Sequence, residues 1–201
     1  MSRLGKTDKL PTPTPPDSDA RHRAMIQALS LDASIADPRP DDLSILRQQL
    51  GRLPLGQWLI AHRSPAGLPM VMATYPLRIC PRNGYRPFPN MLWLTDPALS
   101  QAISHLERQG QMALLQEELS RDEAWSKELA ADHARYAAVR WNMLLPQDQK
   151  LAIARDWQQE LAHRGTGGLS PQGTRIKCLH AHVAQHLVMG NTLGQRVMGM
   201  I

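Results

Sequence analysis

The residues that could do chemistry are concentrated between positions 165 and 186. A glycine-rich run, two basic residues and a cysteine with two histidines follow one another there: Gly165, Gly167, Gly168, Arg175, Lys177, Cys178, His180 and His182. A thiol, imidazoles and positive charge beside free backbone N–H groups at a helix start can bind an anion, hold a metal ion or lower the pKa of a thiol. The sequence leaves these three chemistries open.

A catalytic interpretation takes Cys178 as a nucleophile, with His180 and His182 as candidate partners, because a basic and imidazole-rich helix start favours the thiolate. On a helix at ~100° per residue, His182 falls near ~40° from Cys178, whereas His180 falls near ~200°. This spacing predicts that Cys178 meets His182 and points away from His180. The alternative is that Cys178 is a small buried packing residue.

A metal-binding interpretation uses Cys178, His182 and His186, which share one flank of the same helix. A structural zinc site needs four ligands, often including two or three thiolates, and Cys80 is the only other thiol in the chain. Residues 161–201 contain no Asp or Glu, so any carboxylate ligand has to come from residues 96–160.

An anion-binding interpretation needs less: glycines for close approach, basic side chains and a helix start. The loop lacks the Gly-Lys-Ser/Thr ending of a nucleotide P-loop and the strand context of a dinucleotide fold. The candidate ligand-binding residues are Gly167, Gly168, Arg175, Lys177, Arg82, Arg86 and Asn191.

Charge is segregated along the chain, which carries a net +5. Residues 43–95 hold six arginines and no acid, and residues 161–201 hold four basic residues and no acid, whereas residues 96–160 carry eleven acids against seven bases. We expect the two acid-free segments to meet, with the loop 76–90 against residues 165–182, in one positive surface for a small anionic ligand. Aromatic residues interleaved with arginine in residues 75–93 favour nucleic acid as an alternative partner.

The elements that would position these residues predict an α+β fold. Three short β-type runs, at 57–62, 69–75 and 91–95, predict a small antiparallel sheet within about residues 55–95, with a proline-rich loop before the third strand. Helical patterns at 24–30, 41–50, 97–110, 112–119, 120–145, 146–164 and 178–189 predict a helical C-terminal part packed against that sheet.

The bulk composition predicts a disordered proline-rich tail at residues 1–23 and one domain over residues 24–201. No apolar run approaches the ~20 residues that cross a bilayer, so we expect a cytoplasmic protein with no membrane partner. Two cysteines do not make a disulfide framework.

Several segments occur in the order found in one bacterial family, and together they cover about residues 41–194. They are Gln49–Arg52, Gly67–Pro69, Pro87–Pro89, Leu92–Pro97, Leu106–Glu107, Gly167–Gly168, Lys177–Ala181 and Gly190–Asn191. On these segments the chain resembles family 501 of the domains of unknown function, whose activity is unassigned. The resemblance implies that Pro87, Phe88, Pro89, Cys178, His180 and Asn191 are the positions to examine. The chain departs from the family pattern in having Thr192 rather than Pro after Asn191, and in having a histidine at 186 rather than at 185.

The leading hypothesis is therefore a protein whose glycine loop and Cys-His helix bind a small phosphate-bearing anion, with cysteine chemistry at Cys178 as its enzymatic form. A non-catalytic nucleic-acid-binding or assembly protein and a Cys/His metal-binding protein are the alternatives. The sequence does not indicate the reaction, the cofactor or the oligomeric state.

Overall fold

The computed structural model describes residues 17–54, 56–80, 84–170 and 175–201, and it has the predicted α+β architecture. The helices are α1 Ser18–Leu29, α2 Ala33–Ala36, α3 Asp42–Leu50, α4 Pro97–Arg108, α5 Gln111–Arg121, α6 Glu123–Asn142, α7 Pro146–Ala154, α8 Leu179–Met189 and α9 Thr192–Met198. The strands are β1 Trp58–Arg63, β2 Pro69–Thr74, β3 Leu77–Cys80, β4 Gly84–Pro87 and β5 Leu92–Leu94.

The main sheet is antiparallel, in the order β1–β2–β5, and it contains the three strands that the sequence predicts. Its central strand, β2, is covered on both sides. Ile60 and Met72 pack under Leu46 of α3 on one face, whereas Val71 and Ala73 enter the main core on the other. Burial on both faces explains why β2 is almost entirely apolar rather than alternating.

A second, two-stranded sheet corrects the expectation of a long irregular loop before β5. In it β3 pairs antiparallel with β4, with Leu77 opposite Pro87. The prolines concealed the hairpin from the sequence pattern, but a proline is tolerated in the edge strand of a two-stranded sheet. Leu77 and Tyr85 are buried on one side of this hairpin and join the main core.

The helix predicted over residues 146–164 is interrupted. Helix α7 ends at Ala154, Asp156 adopts a left-handed conformation (φ 57°), and a π-helical turn follows at Gln159–His163. The fully buried Arg140 donates to the carbonyl oxygens of Leu161, at 2.8 Å, and Arg164. These carbonyl oxygens therefore accept hydrogen bonds from a buried guanidinium, and not from the backbone N–H groups of a regular helix.

The N-terminal boundary also differs from the prediction. Helix α1 begins at Ser18, so residues 18–23, which the sequence assigns to the disordered tail, are helical. Arg21 is buried and pairs with Asp148 of α7 through two hydrogen bonds of 2.9 and 3.0 Å. The rest of the predicted tail, residues 1–16, lies outside the described residues.

Helix α8 is the element that the site depends on, and two neighbours hold it. Leu179 and Val183 share a core cluster with Ile103 of α4, and α9 crosses α8 at Gly194. A Cβ at position 194 would lie 2.3 Å from the carbonyl oxygen of His182, so glycine is needed for this approach. None of the helices in the described ranges has both the length and the apolar character needed to cross a membrane.

Candidate functional site: a Glu-Cys-His cluster at the start of helix α8

Helix α4 carries three polar side chains on the face turned toward α8. The helix starts sharply, because Pro97 occupies its first turn and Asp96 accepts a hydrogen bond from the Leu99 N–H at 2.7 Å. Ser100, Ser104 and Glu107 follow at spacings of four and three residues, which places them in one row.

Cys178 is the N-cap of α8 and has an extended backbone (φ −156°, ψ 115°). Helical rotation therefore begins only at Leu179, and the side chain of an N-cap residue lies beside the second and third helical residues, here His180 and Ala181. The structure accordingly groups Cys178 with His180. The predicted pairing of Cys178 with His182 is wrong, because it assumed that Cys178 belongs to the helix.

Three potential ligand atoms meet at this point, one each from Glu107, Cys178 and His180, all within 4.8 Å of one another. Glu107 Oε1 accepts a hydrogen bond from the Leu179 N–H at 2.9 Å and lies 3.5 Å from His180 Nδ1. The other ring nitrogen, His180 Nε2, lies 3.1 Å from the Ser100 carbonyl oxygen and 3.2 Å from Ser104 Oγ. Since a carbonyl can only accept, Nε2 carries a proton and the Nδ1 edge faces the cluster.

The electrostatics of the cluster favour a thiolate. Burial by itself would raise the pKa of Cys178, but interactions with the His180 ring and the Ala181 N–H group outweigh it, and the pKa lies below its ordinary value. Glu107 opposes this lowering through charge repulsion. Cys178 is only partly buried, as is Cys80, and both thiols are free.

His180 shifts in the complementary direction. Its interaction with Cys178 is the largest cause, and together with the Ser100 carbonyl and the Glu107 charge it raises the pKa of His180 to about 8. The side chains of His180 and Glu107 remain 25% and 28% exposed. The cluster therefore places an imidazole with a raised pKa beside a thiol with a lowered pKa and the Glu107 carboxylate, in contact with solvent.

His182 and Asn191 lie elsewhere, inside the protein. His182 is 1% exposed, and its Nδ1 lies 3.2 Å from Asn191 Oδ1, which also accepts the Gly194 N–H at 2.7 Å and so caps α9. The His182 ring packs edge-on to that of His133, with centroids 5.5 Å apart. Burial, with the neighbouring His133, lowers the pKa of His182 to about 3.

The candidate metal set taken from the sequence is not assembled. Within the described ranges, the one group of three metal-ligating side chains is Glu107, Cys178 and His180, which excludes His182 and His186. His186 lies instead where α8 meets α9, because a Cβ on Gly194 would come within 2.6 Å of its Cβ. The carboxylate of this group belongs to Glu107, which lies in residues 96–160, the segment from which any carboxylate ligand was expected to come.

The start of α8 does not offer all of its backbone N–H groups to an anion, because the Leu179 N–H already donates to Glu107. Gly167 and Gly168 have positive φ values of 68° and 77°, and a Cβ on Gly167 would lie 3.7 Å from the Lys177 Cβ, so the glycine loop and Lys177 are adjacent. Arg175 and Lys177 are exposed. Arg86 is exposed on β4, and Arg82 lies outside the described residues.

Sequence reasoning missed Glu107, Ser100 and Ser104 as site residues. Their spacing along α4 was a readable signal, but nothing in the pattern indicates which helix faces α8. Leu106–Glu107 was among the segments that carry the family resemblance, without a role attached to it.

A comparison with protein families shows which family the chain belongs to. Residues 60–199 match the family described as "Protein of unknown function (DUF501)". The chain belongs to this family. The match includes Glu107, Cys178 and His180, and the description assigns no activity to them. No curated protein and no solved structure matches the chain.

Proposed function

We propose that the chain is an enzyme in which Cys178 acts as a nucleophile on a small ligand that carries an anionic group. The observation that carries the proposal is the meeting of Cys178, His180 and Glu107 within 4.8 Å at the start of α8. A nucleophile, an adjacent base and a third group that orients the base are the parts that covalent catalysis by cysteine requires.

The roles follow from the contacts. The Nδ1 edge of His180 takes the proton of the Cys178 thiol, and the resulting imidazolium lies beside the Glu107 carboxylate, 3.5 Å away. The thiolate attacks an electrophilic carbon of the ligand, and His180 returns the proton to the leaving group. Hydrogen bonds of Nε2 to Ser100 and Ser104 hold the ring in the orientation that both proton transfers need.

The anionic character of the ligand is inferred from the side chains around the cluster. Lys177 precedes the nucleophile directly, and Arg175 is also exposed. Because Glu107 occupies the Leu179 N–H, recognition of the anion falls to Lys177 and Arg175, and not to the helix start. Gly167 lies beside Lys177 and has no side chain that could cover it.

Alkylation kinetics test the proposed thiolate. In a Cys80→Ser background, we expect iodoacetamide to label Cys178 in the folded protein with a midpoint below the ~8.5 of a free thiol. His180→Asn should move this midpoint upward, whereas His105→Asn, an exposed histidine of α4, should leave it unchanged. A Cys178 that reacts only after unfolding would contradict the proposal.

The same assay tests the anionic ligand. Iodoacetate carries a negative charge and iodoacetamide does not, so the ratio of their rates reports the local potential. Lys177→Gln should lower this ratio at low salt, and Arg196→Gln, whose side chain pairs with Glu118 instead, should not. A ratio that is unaffected by Lys177→Gln would remove the argument for an anionic substrate.

A second candidate function, binding of single-stranded nucleic acid, is favoured by a stacked column on the sheet side of the molecule. Phe88 and Trp93 are stacked at 5.8 Å, Arg52 lies over Trp93 at 5.9 Å, and Arg78 lies over Phe88 at 5.0 Å. Aromatic and guanidinium planes are the groups on which bases stack, and this segment contains no acid.

Titration with a labelled oligonucleotide separates the two functions. The second candidate predicts affinity that falls steeply with salt and drops on Arg52→Ala or Phe88→Ala, while Cys178→Ser has no effect. Binding that depends on Cys178, or no binding at low salt, would exclude it. Glu128→Gln, an exposed change on α6, serves as the neutral control.

A further inference from the structure

The Glu-Cys-His cluster has the spacing of a metal site as well as that of a nucleophile. In a tetrahedral zinc site with bonds of ~2.0–2.3 Å, neighbouring ligand atoms lie about 3.3–3.8 Å apart. Glu107 Oε1 and His180 Nδ1 are 3.5 Å apart and need no adjustment. The Cys178 sulfur lies within 4.8 Å of a ligand atom of each of these two residues, so a small side-chain rotation completes the set.

We infer that Glu107, Cys178 and His180 bind Zn²⁺ reversibly and that the bound ion switches off the chemistry of Cys178. The inference concerns regulation of the site described above. It rests on the proposed function for its consequence, but not for the binding of the metal itself.

Two of the three proposed ligands form hydrogen bonds of the kind that orient metal-binding side chains. A histidine that binds a metal through one ring nitrogen usually donates the other N–H to a carbonyl or carboxylate. His180 does so through Nε2 to the Ser100 carbonyl oxygen at 3.1 Å, which leaves the Nδ1 lone pair for an ion. The Leu179 N–H fixes Glu107 in the same way at 2.9 Å.

The donor atoms favour zinc over the hard cations. Thiolate and imidazole suit Zn²⁺, whereas Mg²⁺ and Ca²⁺ prefer sites made entirely of oxygen. Within the described ranges the group contains three such residues, and His180 and Glu107 are each about a quarter exposed, so water can take the fourth position. Structural zinc sites are closed by four protein ligands, whereas a site with three protein ligands keeps one position open for water or a ligand.

Binding and catalysis compete for the same electron pair. When zinc binds, any proton on the Cys178 sulfur and on His180 Nδ1 passes to solvent, and one lone pair from each atom forms a bond to the metal. No electron is transferred and no further reactant is needed. A sulfur held by zinc is a weaker nucleophile than the free thiolate, and an imidazole nitrogen held by zinc cannot accept a proton, so the bound metal suppresses the proposed chemistry.

The test uses the full-length protein with Cys80→Ser, freed of metal by a chelator. Iodoacetamide labelling of Cys178 should slow at least ~10-fold as Zn²⁺ approaches saturation and recover when the chelator is restored. Mg²⁺ at the same concentration should have no effect. Co²⁺ in place of Zn²⁺ should give thiolate-to-metal charge-transfer absorption, which is lost in Cys178→Ser.

Glu107→Gln provides the discriminating variant, because its amide oxygen can still accept the Leu179 N–H. It should weaken Zn²⁺ protection by about 10-fold or more. Glu123→Gln, an exposed carboxylate paired with Lys127, should change nothing. Labelling that ignores Zn²⁺, or equal protection in Glu107→Gln and the parent, would overturn the inference. If Co²⁺ absorption appears but Cys178 without metal reacts only after unfolding, the metal site stands and the proposed function fails.

Discussion

At the residue scale, the backbone conformation of Cys178 determines which histidine lies beside its thiol. The extended N-cap places the thiol beside His180, while His182, only two positions further on, points into the interior. The two histidines consequently have opposite electrostatics. The pKa of His180 rises to about 8, chiefly through its contact with Cys178, and that of His182 falls to about 3, chiefly through burial.

The buried His182 makes folding sensitive to acid. Its pKa is lower in the folded protein, at about 3, than in the unfolded chain, at ~6.5, so below pH ~6.5 the unfolded chain binds the extra proton. Stability is therefore lost as the pH falls, by about 2 kcal/mol from this group between pH 7 and 5. Urea unfolding at both pH values should show a smaller difference in His182→Gln.

His105→Asn, an exposed change on α4, is the control for this measurement and should keep the full difference between the two pH values. Equal pH dependence in His182→Gln and the parent protein would mean that His182 becomes protonated without unfolding. The burial of its ring would then not lower the free energy of unfolding in acid.

The segment that carries Cys178 and His180 of the candidate cluster could be singled out from the sequence, but the composition of the cluster could be predicted only in part. The segment around Cys178 stands out because thiol, imidazole and positive charge coincide there. Glu107 is 72 positions from Leu179, to which it binds, and no local spacing reports a contact of that kind. The choice between His180 and His182 depended on whether Cys178 lies inside the helix or just before it, and element boundaries are the least certain part of a sequence pattern.

At the element scale, the orientation of α8 depends on how closely α9 crosses it. Asn191 caps α9 and bonds to His182, Thr192 donates to Asp132 of α6 at 2.7 Å, and Gly194 brings the two helices together. Packing on α4 and the crossing with α9 thus hold α8 from two directions, and the cluster lies at its N-terminal end.

Gly194→Ala should disturb this crossing. The added Cβ would lie 2.3 Å from the His182 carbonyl oxygen, and since that atom belongs to the backbone, the helices must separate. We expect a loss of about 1–3 kcal/mol in the free energy of unfolding, as for other overpacked sites. Gly199→Ala, where the nearest atom is 3.4 Å away, should cost far less. Equal losses would show that α9 moves freely.

The strands of the main sheet could be predicted because each is an apolar run bounded by turn residues. The β3–β4 hairpin could not, because Pro76, Pro81 and Pro87 resemble a loop in sequence. The interruption of the helix after α7 could not be predicted from the sequence either. It is stabilised by Arg140, a residue of α6, whose hydrogen bonds to the carbonyls of Leu161 and Arg164 are tertiary contacts.

At the scale of the whole molecule, α1 is attached to the helical part by a buried ion pair. The Arg21 guanidinium forms two hydrogen bonds with Asp148, which also accepts the Tyr75 hydroxyl at 2.6 Å, and it lies 4.6 Å from the centre of the Tyr75 ring. One cluster thereby joins the N-terminal helix, the strand region and α7. The predicted meeting of the two acid-free segments in one positive surface stays a prediction.

Arg21→Met should destabilise the protein by about 3–5 kcal/mol, because it leaves the Asp148 carboxylate buried without its partner. Arg23→Met, an exposed change on the same helix, should stay within about 0.5 kcal/mol of the parent. Chemical unfolding of both variants measures the difference. If Arg21→Met costs no more than Arg23→Met, α1 is only loosely attached to the rest of the chain.

The separation of Glu107 from Leu179 in the sequence has a consequence for when the thiol is reactive. The groups that perturb Cys178 come from two helices that meet only after tertiary folding, so in the unfolded chain the thiol has none of its partners from α4. Local detachment of α4 from α8 would remove the contacts with Ser100 and Ser104 that hold the His180 ring beside Cys178, before the molecule as a whole unfolds. The proposed nucleophilicity of Cys178 would thus report the native state, and heating should abolish it before the cooperative melting transition.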